Sequence, residues 1–258
     1  MKKIAIIGAG NMGNAIIHGL EGKYETIVSD SDKTKLKKFK VKTTTDNIAA
    51  VKESDIILLA VKPQTMETVL KEIAGTVGCR HLIISIAAGI STERIEKALG
   101  KIPVVRVMPN TPLMVGAGMS VICPGRYAES RHLKITAKIF AEMGKVARVE
   151  DENLMHAVTA VSGSGPAYLY LFIEELVKSA EKLGLKKKMA ETFVLQTIKG
   201  SLALLEYTEK APEVLRRQVT SPAGTTEAAI KVFGERKFDE IIEHAVFSAC
   251  RRSEELGK

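Results

Sequence analysis

The most constraining stretch of this chain is its start. Lys2–Gly8 reads KKIAIIG, an apolar run that breaks into Gly8-Ala9-Gly10-Asn11-Met12-Gly13 and resumes as Ala15-Ile-Ile-His-Gly-Leu20, with apolar and small residues at helical spacing. Strand, glycine turn and helix in that order open a Rossmann unit. The first glycine makes the tight turn, the second admits a pyrophosphate to the backbone, and the third lets helix and strand pack closely. Alone the pattern is weak. A second strand, Glu25–Ser29, ends beside Asp30 at the spacing of a ribose contact, and the two features together predict dinucleotide binding. A carboxylate at Asp30 favours NAD, since it accepts ribose hydroxyls and repels a 2′-phosphate. Ser29, Ser31 and Lys33 are donors to such a phosphate, so the residues themselves leave the choice between NAD and NADP open.

The alternation continues beyond this unit. A short strand near Lys40–Thr43, a helix from Asp46 to Val51 and the strand Asp55–Val61 follow, the last apolar on both faces and therefore central and parallel. Its end, Ala60-Val61-Lys62-Pro63, belongs to the carboxyl edge of the sheet, where a cofactor lies. A helix from Gln64 to Ile73 precedes the strand His81–Ala87. That strand runs into Ala88-Gly89 and a helix capped by Ser91, with Ile90 and Ile95 as hydrophobic staple. Lys101–Val107 and Gly116–Cys123 add strands, and Glu129–Met143 a helix. The expected fold class is α/β, a mostly parallel, doubly wound sheet over residues 1–150.

From Asp151 onward no strand-like run remains. Leu169, Phe172, Ile173, Leu176, Val177, Ala180 and Leu183 fall on one face of a long helix; Phe193, Val194, Ile198, Leu202 and Leu205 mark a second, and Ile241, Ile242, Ala245, Val246 and Ala249 the last. The expected boundary is Glu150/Asp151, with an all-α domain over 151–258. Helices with such broad apolar faces complete their core by pairing with a copy, so a homodimer is expected.

Composition excludes several alternatives. The net charge of +8 comes largely from Lys33–Lys42 and Lys186–Lys188, which carry no nucleic-acid motif and read as solvated faces that also attract an anionic cofactor. No apolar run approaches the roughly 20 residues that span a bilayer, and Met1-Lys-Lys leads straight into a strand, so a cytoplasmic protein without a membrane partner is expected. Cys79, Cys123 and Cys250 lack metal-ligand spacing and read as buried or half-buried thiols, and the five histidines form no cluster, so no metal is expected.

The remaining candidate site is Val219-Thr-Ser-Pro-Ala-Gly-Thr-Thr-Glu227, small and polar residues at a helix start. The sequence predicts a helix Ala223–Phe233 in which Pro222 suits the first turn, Ser221 caps and Gly224 lets a ligand reach the main chain. Free N–H groups there favour a carboxylate or phosphate. A nicotinamide enzyme acting on an alcohol needs a His, Lys or Tyr to take the hydroxyl proton, and none stands out: His156 reads as a helix-surface residue, Tyr168 and Tyr170 as packing or interface residues. A C=N substrate relaxes that demand, because an iminium is already protonated and positioning suffices.

The blocks GAGNMG (8–13), AVKP (60–63), AAG (87–89), MPNTP (108–112), VSGSGPAY (161–168) and VTSPAGTT (219–226), in this order, resemble pyrroline-5-carboxylate reductase over nearly the full length. The resemblance implies reduction of 1-pyrroline-5-carboxylate to L-proline with NADPH or NADH, the former favoured. It implies a cofactor lying along Gly8, Ala9, Gly10, Asn11, Met12 and Gly13, lined by Ser29, Asp30, Asn47, Ala60, Val61, Lys62, Pro63 and Ala88, with Asn110 near the nicotinamide and Glu152 near the interdomain cleft. Substrate would bind Ser221, Gly224, Thr225 and Thr226, with Glu209 nearby. The Thr226 hydroxyl would meet the ring nitrogen as the catalytic contact. The family interlocks its C-terminal helices into dimers and forms rings of dimers. Ala223 departs from the family's glycine, which is compatible with a helical residue. The similar β-hydroxyacid dehydrogenases carry a catalytic lysine after their second glycine cluster, where this chain reads Pro166-Ala-Tyr-Leu-Tyr170. A non-catalytic dinucleotide-binding paralogue is the other alternative, and the intact Thr225-Thr226 pair weighs against it.

Overall fold

The computed structural model describes residues 2–257. Its eight strands are β1 (Ile4–Ile7), β2 (Thr26–Ser29), β3 (Lys42–Thr44), β4 (Ile56–Leu59), β5 (Leu82–Ser85), β6 (Val104–Met108), β7 (Gly118–Pro124) and β8 (Gly144–Arg148), in one sheet of order β3-β2-β1-β4-β5-β6-β7-β8. All neighbours run parallel except β6 and β7. The reversal between β3-β2-β1 and β4-β5-β6 is the switch point at which an open α/β sheet binds its ligand.

The period of two along each strand builds a core on both faces. Ile4, Ile6, Ile56, Leu58, Leu82 and Ile84 point into one layer, covered by helices α1 (Asn11–Leu20) and α6 (Ser130–Ala141). Ala5, Ile7, Ile57, Leu59 and Ile83 point into the other, covered by α3 (Asn47–Lys52), α4 (Pro63–Ile73) and α5 (Thr92–Leu99). The lysine-rich stretch supplies the short α2 (Lys33–Leu36), capped by the Asp32 carboxylate. Ser91 caps α5 by accepting the Arg94 N–H, and Ile90 and Ile95 are both buried beside it. The strand β8 was not expected. Its sequence, GKVAR, has no apolar run because it is a half-exposed edge strand, fixed in parallel register by Gly118 opposite Gly144.

Beyond the sheet come α7 (Leu154–Val158), a π-helical turn at Thr159–Gly163, α8 (Gly165–Lys182), α9 (Lys187–Thr208), α10 (Pro212–Gln218), α11 (Thr225–Glu235) and α12 (Phe238–Glu255). Two compact units result. One holds the residues up to Pro166 together with those from Ser248; the other is Ala167–Phe247. In the second unit Leu169, Phe172, Leu176, Phe193, Leu202 and Phe233 are exposed in the single chain.

Burial also makes stability depend on pH. It is the first cause that pushes His81, His132 and His156 below their ordinary value of 6.5. The Nδ1 atom of His132 accepts the Glu129 N–H at 2.9 Å, which requires a neutral ring. Unfolded histidines take up protons near 6.5 and folded ones only at lower pH, so this stabilisation is complete above 6.5 and is lost as pH falls below it. Glu96, raised by burial, acts in the opposite direction. Urea unfolding should give a lower midpoint at pH 5.5 than at 7.5, with a smaller difference in a His132→Asn variant; equal pH differences in the two proteins would contradict the assignment.

Candidate dinucleotide groove and substrate loop

The glycine turn does what its spacing predicts, for reasons visible atom by atom. Gly8 has φ +106° and a side chain there would meet the Ala60 carbonyl oxygen at 2.6 Å. A side chain on Gly13 would collide with the Gly8 carbonyl, so α1 can lie close to β1 only without one. Gly10 instead faces open space: it is the N-cap of α1, gives no side-chain cap, and leaves the first-turn amides free until Asn14 N–H reaches the Gly10 carbonyl at 2.7 Å. This fits a pyrophosphate.

From that turn runs a groove of about 380 Å³, lined on the β1 and β2 side by Gly8, Gly10, Ser29, Asp30, Ser31 and Lys35, and on the β4 side by Ala60, Val61 and Lys62. Asn47 and the α4 residues Thr65, Thr68, Val69 and Glu72 complete it. Asp30 accepts the Ala9 N–H at 2.8 Å and the Asp32 N–H at 2.9 Å, bracing the glycine turn against the end of β2. Ser29 is buried and donates to Asn47 Oδ1 at 2.7 Å, while Asn47 Nδ2 donates to Glu72 at 2.8 Å. The sequence reading missed Lys35 and the α4 residues. The signal was available: positions 65, 68, 69 and 72 recur at the three- and four-residue spacing of one helix face. Lys33, read as a phosphate donor, does not line the groove, because the tight turn into α2 presents Lys35 there.

The other expected cofactor residues fall into two groups. Ala9, Asn11 and Met12 are part of the turn and the first turn of α1, and Pro63 opens α4. Ala88 follows β5 at the same carboxyl edge. Asn110 and Glu152 each bond to other parts of the protein. Asn110 donates to the Ser162 carbonyl at 3.2 Å and accepts the Met119 N–H at 2.8 Å, tying the end of β6 to the π-helical turn. Glu152 accepts from Arg106 Nη1 at 2.9 Å, from the Thr92 amide at 2.9 Å and from the Thr92 hydroxyl at 2.6 Å. It thus caps α5 and neutralises a guanidinium that is 1% exposed. Cys123, on the strand beside Arg106, is buried and its thiol is pushed up to about 11, an inert group; Cys79 is exposed, contrary to expectation. Among the described residues no group of three or more His, Cys, Asp or Glu could hold a metal ion, and no helix is long and apolar enough to cross a membrane.

The Ser221–Thr226 loop differs in detail from the sequence reading. The helix starts at Thr225, not Ala223, and its N-cap is Gly224, not Ser221. Gly224 N–H bonds the Ser221 carbonyl at 3.0 Å and Ala223 has φ +57°, which makes Ser221–Gly224 a type II turn with Pro222 and Ala223 at its corners. Glu227 holds it by accepting the Ala223 N–H at 2.7 Å. Ala223 is therefore left-handed rather than helical, at the corner that ordinarily takes glycine. A left-handed alanine costs about 1–2 kcal/mol and glycine's greater freedom when unfolded gives back roughly 0.5–1 kcal/mol, so Ala223→Gly should stabilise slightly in urea unfolding. Destabilisation by this substitution would contradict the turn assignment. No side chain caps α11, so its first-turn amides stay free beside the partly exposed Thr226. Glu209 is the left-handed C-cap of α9, at φ 52°.

A doubly wound sheet with an open glycine turn at its switch point and a groove beyond it defines a nicotinamide-dinucleotide oxidoreductase. Residues 3–89 match the family model "NADP oxidoreductase coenzyme F420-dependent", and residues 152–256 match "Pyrroline-5-carboxylate reductase dimerisation". The chain belongs to the pyrroline-5-carboxylate reductase family. It is 42% identical to the pyrroline-5-carboxylate reductase of Synechocystis sp., covering 99% of this chain and 98% of the relative. The NADP-bound pyrroline carboxylate reductase of Plasmodium falciparum superposes with a TM-score of 0.93 at 31% identity, over 100% of this chain and 98% of that one. A pyrroline-5-carboxylate reductase from Coxiella burnetii gives 0.90 at 37% identity, over 100% and 99%.

Proposed function

We propose that this protein reduces 1-pyrroline-5-carboxylate to L-proline with NADPH or NADH, the last step of proline biosynthesis, in the cytoplasm. The observation that carries the reading is the Ser221–Thr226 loop, a type II turn opening onto an uncapped helix start, in a chain that matches pyrroline-5-carboxylate reductases end to end. The amides of Thr225, Thr226 and Glu227 receive the substrate carboxylate, helped by the helix dipole. The Thr226 hydroxyl meets the ring nitrogen and holds the C=N bond in place. The glycine turn, Ser29, Asp30, Asn47 and Ala60–Pro63 hold the dinucleotide. When bound, the reduced nicotinamide supplies a hydride to the imine carbon. The nitrogen of the protonated imine keeps its proton and becomes the secondary amine, so no side chain has to deliver one. Asn110 and Glu152 serve as braces for the elements around the cofactor.

The same proposal divides the chain at Glu150/Asp151 into a nucleotide domain and a substrate-binding and dimerisation domain. The exposed apolar residues of the helical unit pair with a second copy, and dimers associate further into a ring.

Purified protein should oxidise NADPH or NADH only when given pyrroline-5-carboxylate; no turnover with either cofactor by folded protein sinks the proposal. Thr226→Ala should lower kcat/KM by about tenfold to a hundredfold, the loss of one polar contact worth roughly 1.5–3 kcal/mol in the transition state. Unchanged kcat/KM would remove Thr226 from its role.

A further inference from the structure

We infer that the end of α12 is a clasp that positions the loop between β5 and α5 for the nicotinamide half of the dinucleotide, with Gly89, Gly257, Ser253 and His156 as its positioning residues. This rests on the dinucleotide reading of the groove. The groove occupies the β2, β1 and β4 side of the switch point, so a dinucleotide whose pyrophosphate lies at Gly10 continues toward β5. At the carboxyl end of β5 the chain runs Ile86-Ala87-Ala88-Gly89-Ile90, buried except at the half-exposed Ala88. With side chains no larger than a methyl, Ala87–Gly89 lets a flat ring approach the backbone. The same smallness leaves these residues without a side-chain anchor of their own.

Two separate contacts bring the end of α12 to this loop. Gly89 has φ +77°, and a methyl built on it would lie 2.8 Å from the Leu256 carbonyl carbon and 2.9 Å from the Gly257 nitrogen. A methyl on Gly257 would come within 2.6 Å of the Gly89 carbonyl oxygen. Backbone thus meets backbone, an approach that a Cβ on either side would block. The second contact is polar. Among the described residues of α12, Ser253 alone is buried in the single chain, at 2% exposure, and its Oγ lies 3.0 Å from Nδ1 of His156 on α7. Helix α7 reaches the same loop through its core face, because Ala88 packs against the cluster that Met155 forms with Met108, Val121 and Cys123. All of these residues belong to the first compact unit. The loop is therefore held between α7 and the end of α12, and the His156–Ser253 contact ties the two helices together.

The test compares wild type with Gly257→Ala, Ser253→Ala, His156→Leu and His156→Asn, each checked for folding by urea unfolding. Kd is titrated for NADPH, for NADH and for ADP, which has the adenosine and pyrophosphate without the nicotinamide; kcat and KM are measured with pyrroline-5-carboxylate. Gly257→Ala pushes the end of α12 off Gly89 and should lower kcat/KM for the dinucleotide by about tenfold, while the ADP Kd stays within about twofold. His156→Leu and Ser253→Ala should each act in the same direction by about threefold. His156→Asn keeps a polar atom near the Nδ1 position and should restore the wild-type values. If the folded variants lower only the urea midpoint, or weaken ADP and dinucleotide by the same factor, the clasp braces the fold alone, and the inference fails while the dinucleotide reading stands. Should Gly257→Ala not fold, the contrast between His156→Leu and His156→Asn decides. If wild type binds neither dinucleotide, both readings fall.

Discussion

Replacing Glu152 by alanine should destabilise the protein by about 3–5 kcal/mol, because it strands a buried charge. Arg106 is 1% exposed, and its Nε and Nη2 atoms already lack hydrogen-bond partners; its Nη1 depends on Glu152. The same substitution strips the Thr92 amide and hydroxyl of their acceptor at the first turn of α5, where the Ser91 cap remains. The loss is a large part of the roughly 5–15 kcal/mol that holds a domain together. The converse substitution is milder. Arg106→Met leaves a carboxylate that is 24% exposed and still bonded to Thr92, so it should cost clearly less. Urea unfolding of the two variants checks the asymmetry, and equal costs would show that the pair, rather than the uncompensated guanidinium, is what matters.

The glycine turn offers a second contrast, between stability and binding. Gly8→Ala forces a methyl to within 2.6 Å of the Ala60 carbonyl at φ +106° and should cost about 3 kcal/mol or more. Gly10→Ala places its methyl in open space at an extended backbone (φ −68°, ψ −173°) and should leave stability within roughly 0.5 kcal/mol of wild type. Yet under the proposed cofactor placement that methyl would stand where the pyrophosphate approaches the backbone, so the dinucleotide Kd should rise about tenfold or more for both cofactors. Gly10→Ala with unchanged affinity would remove the pyrophosphate from this turn.

Much of this was legible before any coordinates, and the failures share a cause. The strands β1, β4 and β5 are apolar on both faces because both faces are buried, and Ser91 announces its helix as a cap. The resemblance carried by six short blocks identified the family. What stayed hidden depends on partners far along the chain. GKVAR is a strand only because β7 pairs with it; Glu152 turned inward to Arg106, 46 residues earlier, and no local pattern encodes that. The corner at Ala223 reads as helix in the sequence because Pro222 suits both the first turn of a helix and the second position of a type II turn, and a bond from Gly224 to Ser221 decides between them. The helix face of α4 is the one miss that the spacing itself could have prevented.

The central claim is that hydride passes from a dinucleotide in the groove to the C=N carbon of an imine held by the Ser221–Thr226 loop. Turnover of pyrroline-5-carboxylate with NADPH deuterated at nicotinamide C4, prepared separately in each stereochemical form, measures this directly by mass spectrometry and NMR of the product. One of the two forms should give L-proline carrying a single deuterium at C5, and Thr226→Ala should slow its appearance without moving the label. Unlabelled proline from both forms, or a label on any other carbon, would contradict the account.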